Sequence, residues 1–250
     1  MKKYGLIGYP LGHSFSKGYF ADKFKKEHIK NCSYNNYPLE NIELLGNLIQ
    51  EEQELYGLNV TIPYKQQVIP FLDQLDCVAE KIGAVNCIKI NRNAAKEVIL
   101  KGFNTDSYGF EVPLLEVLLP HHDKALILGT GGASKAVAYV LEKHHIAFRY
   151  VSRKPKSAGI FSYADITEEI INEYSIIVNT SPSGMYPDVD TCPDLPYDAI
   201  TDRHILYDLV YNPEKTLFLQ KGEEKKAVLI NGLPMLYLQA EKSWDIWNAE

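Results

Sequence analysis

Short apolar runs rich in β-branched and aromatic residues alternate with helix-period segments from one end of this chain to the other, and that alternation limits its fold more than any other feature. A chain that keeps switching between a two-residue and a 3.6-residue hydrophobic period builds βαβ units, so the fold class is α/β. The first half predicts strands near 4–8, 33–37, 56–60, 85–90 and 98–103, with helices near 16–27, 41–52 and 65–71. The second half predicts a helix over 108–119 ended by Pro120, strands near 125–128, 148–151, 176–179, 205–209 and 227–230, and a last helix over 233–247 carrying both tryptophans. At 250 residues a single core tends to split in two. We therefore expect an N-terminal α/β domain over 1–107, a Rossmann-type doubly wound domain over 108–232, and a terminal helix, 233–250, that packs back on the first.

Several function classes are disfavoured at once. The formal charge is −6 and the lysines are scattered, which argues against a nucleic-acid surface. No apolar run approaches the roughly 20 residues needed to span a bilayer, and the start of the chain lacks a signal-peptide pattern, so no membrane association and a cytoplasmic location are expected. The four cysteines, Cys32, Cys77, Cys87 and Cys192, form no C-x-x-C or Cys/His cluster, which points to reduced thiols and no metal site.

The second half holds the clearest ligand signal. A predicted strand ending at Leu128 runs into Gly129-Thr130-Gly131-Gly132-Ala133-Ser134 and then into a helical segment. A glycine turn in that context lets the backbone approach a pyrophosphate, whose charge the N–H groups and dipole at the helix start stabilise. Ser134 replaces the third glycine of G-x-G-x-x-G and is still small. About 20 residues on, where an NAD-selective protein carries an acidic residue for the ribose hydroxyls, stands Ser152-Arg153-Lys154. A hydroxyl and two cations accept a 2′-phosphate, so the expected cofactor is NADP.

The first half offers polar groups at predicted strand ends. Gly57-Leu58-Asn59-Val60-Thr61-Ile62-Pro63-Tyr64-Lys65 puts Asn59 and Thr61 on one strand face with Lys65 just beyond. Gly83-Ala84-Val85-Asn86 and Gly102-Phe103-Asn104-Thr105-Asp106 add uncharged polar groups and one carboxylate. Such a set suits a small polyhydroxylated ligand.

Together with Gly8-Tyr9-Pro10-Leu11-Gly12-His13-Ser14-Phe15-Ser16, these segments resemble the shikimate dehydrogenase family along the whole chain. Asn179-Thr180-Ser181-Pro182-Ser183-Gly184-Met185, Asp208-Leu209-Val210-Tyr211, and Gly232-Leu233-Pro234-Met235-Leu236 followed by Gln239 continue the match in the family's order. The resemblance implies reversible, NADPH-dependent reduction of 3-dehydroshikimate to shikimate, a step of aromatic amino-acid biosynthesis. It implies that Ser14 and Ser16 hold the substrate carboxylate, that Thr61, Asn86, Tyr211 and Gln239 also contact substrate, and that Lys65 and Asp106 form the catalytic pair. Gly129, Thr130, Gly131, Gly132, Ala133, Ser152, Arg153, Leu209 and Gly232 would face the cofactor. Cys77, and Ser152-Arg153-Lys154 in place of the usual Asn-Arg-Thr, depart from the family pattern.

Taken singly, the same residues have plainer readings. Ser14 and Ser16 suit helix caps, Asp106 a cap, Asn59 a structural amide, Gln239 a polar helix face and Tyr211 a core ring. Two rival functions stand beside the main one: a quinate/shikimate dehydrogenase using NAD or NADP, and a non-catalytic sensor of the same architecture, which would be expected to lose Lys65 or Asp106. A monomer or a homodimer is expected.

Overall fold

The computed structural model describes residues 1–12, 15–93, 97–155, 157 and 159–249. The chain divides into two compact units, one made of 1–105 and 240–250, the other of 106–239.

The first unit runs β1 (Lys2–Gly8), α1 (Phe15–Lys26), β2 (Cys32–Pro38), α2 (Leu45–Glu51), β3 (Leu55–Val60), α3 (Tyr64–Gln67), β4 (Gln74–Leu75), α4 (Cys77–Ile82), β5 (Cys87–Arg92) and β6 (Val98–Phe103). The sheet order is β2-β1-β3-β5-β6-β4. β1 pairs in parallel with β2 and β3, whereas β5 runs antiparallel to both β3 and β6. Too few residues separate β5 from β6 for the crossover that parallel strands need, so the two close as a hairpin. The predicted helix over 65–71 is broken: α3 stops at Gln67, and a 3₁₀ turn, Ile69–Phe71, follows around Pro70, which cannot donate a backbone hydrogen bond.

The second unit opens with α5 (Asp106–Val117) and continues as β7 (Lys124–Leu128), α6 (Gly132–Lys143), β8 (Ala147–Val151), α7 (Glu168–Glu173), β9 (Ile176–Asn179), β10 (Ile205–Asp208), α8 (Leu217–Glu224), β11 (Val228–Ile230) and α9 (Gly232–Asn248). All five strands are parallel, in the order β11-β10-β9-β7-β8. Their residues alternate between two cores. Ile127, Val178 and Tyr207 pack with Phe110 and Leu114 of α5 and Val137 and Leu141 of α6. Leu126, Ile177 and Leu206 pack with Ile171 of α7 and Phe218 and Leu219 of α8. Helices thus cover both faces, which is why these strands read as continuous apolar runs. The strand order reverses between β7 and β9, and in doubly wound sheets ligands bind at the carboxyl ends of strands at that point.

Residues 240–250 of the last helix complete the first unit. The Trp247 ring fills a slot at Gly57 that a Cβ would close, its Nε1 donates to the Ile88 carbonyl at 3.0 Å, and it stacks on Tyr4 with ring centroids 5.0 Å apart. No helix among the described residues is long and apolar enough to cross a membrane.

Candidate active site

The polar motifs of the first half, far apart in sequence, are stitched together at one end of the mixed sheet. The Tyr9 N–H donates to the Ile62 carbonyl (3.2 Å) and the Thr61 N–H to Ile7 (2.9 Å), which holds the segment leading to α1 beside the one leading to α3. The Val85 N–H donates to the carbonyl of Lys65 at 2.7 Å, and Asn86 accepts the Val60 N–H at 2.8 Å. The Gly83–Asn86 turn is in turn tied to the two residues that follow β6: Asn104 Nδ2 donates to the Ala84 carbonyl (2.9 Å), and the Thr105 N–H donates to Asn86 Oδ1 (2.7 Å). Thr61, Lys65, Asn86 and Thr105 are therefore positioned by a small set of backbone contacts.

Individual side chains sort by burial. Lys65 and Thr61 are half-buried. Asn86 and Asp106 are buried, and Asp106 is the first residue of α5, where a carboxylate is favoured by the helix dipole. Ser16, half-buried in the first turn of α1, hydrogen-bonds the phenol of Tyr34. Ser14 lies outside the described residues. Asn59 is buried and engaged on all sides: it accepts from Tyr34 Oη at 2.9 Å and donates to the Asn86 carbonyl at 3.2 Å and to Ser243 Oγ at 2.9 Å. These bonds fit the reading of Asn59 as a structural amide.

Tyr211 and Gln239 belong to the second unit. The Tyr211 ring is 38% exposed, so the core reading fails, and Gln239 Nε2 donates to the Leu236 carbonyl one turn back at 2.9 Å.

In the second unit Gly129, Thr130 and Gly131 lie between the end of β7 and the start of α6, and Gly132 opens that helix. Gly129 has φ +112°, a region L side chains rarely adopt, and a Cβ there would come within 2.8 Å of Thr180 Oγ1. A Cβ on Gly131 would instead point into open space, so the glycine keeps a cradle clear just before the N–H groups of Gly132 and Ala133. Ser134, where a third glycine is usual, is buried and donates to the Gly131 carbonyl at 2.7 Å. A dinucleotide pyrophosphate fits this donor set.

β8 ends at Val151, and half-buried Ser152 accepts the Lys154 N–H at 3.3 Å. Arg153 is exposed and lines a groove of about 720 Å³ together with Tyr163, Ser181, Met185, Tyr186 and Cys192. The Leu209 N–H donates to the Asn179 carbonyl at 3.0 Å, and Gly232 is required because a Cβ would collide with the Leu209 backbone.

One residue of the Asp208–Tyr211 segment has no role assigned from the sequence alone. Asp208, fully buried at the end of β10, accepts Asn179 Nδ2 (3.0 Å) and the Val210 N–H (3.0 Å) on Oδ1 and Thr216 Oγ1 (2.6 Å) on Oδ2. Burial pushes its carboxyl up to about 6 against the opposing pull of Thr216, Val210 and Asn179. Asn179 Oδ1 then takes the Ser181 N–H (3.1 Å) and hydroxyl (2.7 Å), so Asp208 ties the loop after β9 to the loop after β10. Among the described residues no group of three or more His, Cys, Asp or Glu side chains is placed to hold a metal ion.

Comparison with known proteins meets this geometry from outside. Residues 6–88 match the family model for the shikimate dehydrogenase substrate binding domain. A shikimate dehydrogenase (NADP(+)) of Clostridium beijerinckii is 41% identical over 99% of this chain and 92% of its own length, and one of Methanosphaera stadtmanae is 34% identical over 98% and 91%. A crystal structure of a shikimate dehydrogenase in complex with NADP+ superposes with a TM-score of 0.85 at 31% identity, covering 99% of this chain and 90% of that one. The Thermus thermophilus shikimate 5-dehydrogenase in complex with NADP(H) and shikimate superposes at 0.84 and 29% identity, covering 99% and 94%. Identity at this level over nearly the whole of both chains, spanning the stitched polar motifs and the glycine turn alike, makes this chain a member of the shikimate dehydrogenase family.

Proposed function

We propose that this chain catalyses the reversible, NADP-dependent interconversion of shikimate and 3-dehydroshikimate, in the cytoplasm, as a monomer or homodimer. The observation that carries the reading is the convergence, within one unit of a family member, of the Thr61–Lys65, Asn86 and Thr105 segments on a single set of strand ends, in a chain whose second unit carries a glycine turn that suits a pyrophosphate.

Bound NADPH supplies the hydride. The residues of the chain do the rest. The Lys65 ammonium donates a proton to the substrate oxygen that becomes a hydroxyl, and takes it back in the reverse direction. Asp106 orients that ammonium and accepts from a neighbouring substrate hydroxyl. Ser14 and Ser16 hold the carboxylate, and Thr61, Asn86, Tyr211 and Gln239 read the remaining polar groups. Gly129, Thr130, Gly131, Gly132 and Ala133 would cradle the pyrophosphate, Ser152 and Arg153 would take the 2′-phosphate, and Leu209 and Gly232 would face the cofactor.

The direct test is initial-rate kinetics with shikimate and quinate, each with NADP and NAD, followed by the absorbance of the reduced nicotinamide. Shikimate with NADP should give the highest kcat/KM. Equal turnover of quinate, or none of shikimate, would replace the substrate assignment.

A further inference from the structure

Behind the proposed substrate residues lies a continuous buried chain of neutral polar side chains that reaches into the last helix. Ser16 hydrogen-bonds Tyr34, and Tyr34 donates to Asn59 Oδ1 at 2.9 Å. Asn59 Nδ2 donates to Ser243 Oγ at 2.9 Å, Ser243 Oγ lies 3.2 Å from Thr105 Oγ1, and Thr105 Oγ1 accepts from Asn86 Nδ2 at 2.9 Å. Tyr34, Asn59, Asn86, Thr105 and Ser243 are all buried, Ser243 completely.

The direction of these bonds is dictated by two backbone groups that have no choice of role. The Asn86 carbonyl can only accept, so the side of Asn59 that faces it is the amide nitrogen, and Oδ1 is left to take the Tyr34 proton. The Thr105 N–H can only donate, so Asn86 turns Oδ1 toward it and keeps its NH2 on the other side. Ser243 is the joint. It accepts from Asn59 and touches Thr105, and it also hydrogen-bonds the thiol of Cys87, which burial pushes up to about 12 and so keeps protonated. Ser243 belongs to the first unit although it lies 138 residues beyond Thr105 in the sequence.

We propose that Ser243 is a positioning residue for shikimate: through Thr105 it fixes the carboxamide of Asn86, and through Asn59 the backbone carbonyl of the same residue, so that the last helix sets the geometry with which that amide meets a substrate hydroxyl. The role rests on the function proposed above, because it presupposes that Asn86 contacts substrate. A partner that merely fills space would leave substrate affinity alone once the protein is folded; a positioning partner would act on shikimate and leave the dinucleotide untouched, since every link of the chain lies in the first unit.

The experiment is a double-mutant cycle on full-length protein with Ser243→Ala, Asn86→Ala and both, measuring KM for shikimate and for NADP alongside the thermal transition. Ser243→Ala should raise the shikimate KM about fivefold to tenfold, the scale of one lost hydrogen bond in a buried network, with the NADP KM within about twofold of wild type. In the Asn86→Ala background the same change should raise the shikimate KM less than about twofold, because its effect is routed through the missing amide. Ser243→Cys keeps the side-chain volume with a weak hydrogen-bond partner, should move KM the same way, and decides the matter if Ser243→Ala does not fold. An unchanged shikimate KM in a folded Ser243 variant, full additivity with Asn86→Ala, or equal shifts in both KM values would overturn the proposal. Wild-type protein that turns over NADP with a substrate other than shikimate would instead overturn the functional reading, and the positioning role with it.

Discussion

The two units solve one problem, holding strand-end loops in place around a ligand, with different chemistry. In the first, the buried polar centre is neutral: Tyr34, Asn59, Asn86, Thr105 and Ser243 exchange hydrogen bonds, and burial pushes the Tyr34 phenol further from ionisation. In the second, the centre is the carboxyl of Asp208, into which Asn179, Val210 and Thr216 all donate. A neutral network costs less to bury and has an orientation fixed by backbone groups, so its geometry is insensitive to pH. A buried carboxyl is a stronger focus for converging donors but binds a proton more readily when folded. On the function proposed above, proton chemistry in the first unit falls to Lys65, outside the buried network.

That division can be broken most sharply at Lys65. Lys65→Ala should lower kcat by about 10²-fold or more, the usual scale for a positioned acid–base group, with little change in the KM for shikimate or NADP. Retention of most of kcat would remove Lys65 from the mechanism.

The second unit is tested at the turn after β8. Arg153→Asp with Lys154→Ala should shift the ratio of kcat/KM for NADPH over NADH toward NADH by roughly ten- to several-hundred-fold, since a charge pair near 4 Å is worth about 1–4 kcal/mol at the dielectric of water or a protein surface. Salt will trim the figure because Arg153 is exposed. An unchanged ratio would mean that the groove beside Arg153 does not read the 2′-phosphate.

Asp208 carries a smaller effect with a definite sign. Its carboxyl rises from 3.8 to about 6 on folding, so the folded state holds the proton more tightly, and protonation adds stability as pH falls from 7 through 6 toward 4. Wild type should gain about 1 kcal/mol between pH 7 and pH 5 relative to Asp208→Asn, in which Thr216 can turn its hydroxyl to accept from the new amide. Urea denaturation of both proteins at the two pH values measures it. Parallel pH dependence would show that Asp208 does not titrate in that range.

Most of the architecture was legible because its signals are local. The strands predicted at 98–103 and 176–179 match β6 and β9, and the glycine turn fell between strand and helix as its pattern requires. The misses are short or non-local. β4 has only two residues, and α4 has six, too few to show a period. The antiparallel placement of β5 against β3 depends on pairing that no periodicity encodes. Within the candidate site, Thr61, Lys65, Asn86 and Asp106 stand in recognisable segments, whereas Ser243 lies 184 residues from Asn59 and Tyr34 lies 25 from it. Nothing in the residues around either marks it as polar-network material. Asp208 sat in plain view beside Leu209 and Tyr211, but its importance comes from three donors that only the fold brings to it.

The smallest expected effect separates a polar group that is used from one that is not. Tyr207 is fully buried in β10, next to Asp208 in the chain but on the opposite face of the strand, with its ring stacked on Phe110 at 4.7 Å. Its hydroxyl has no hydrogen-bond partner, in contrast to the Tyr34 hydroxyl of the first unit, which donates to Asn59. A buried hydroxyl without a partner forfeits the bond it made with water, at a cost of about 1–3 kcal/mol, while the aromatic ring is held by packing alone. Tyr207→Phe should therefore leave kcat and both KM values unchanged and raise stability by up to about 1 kcal/mol, less than the full cost because the neighbouring side chains relax around the smaller ring edge. Tyr34→Phe, removing a hydroxyl of the same kind from a satisfied network, should lower stability instead. Urea midpoints for the two variants give the comparison directly, and a loss of stability in Tyr207→Phe would mean that its hydroxyl finds a partner in solution.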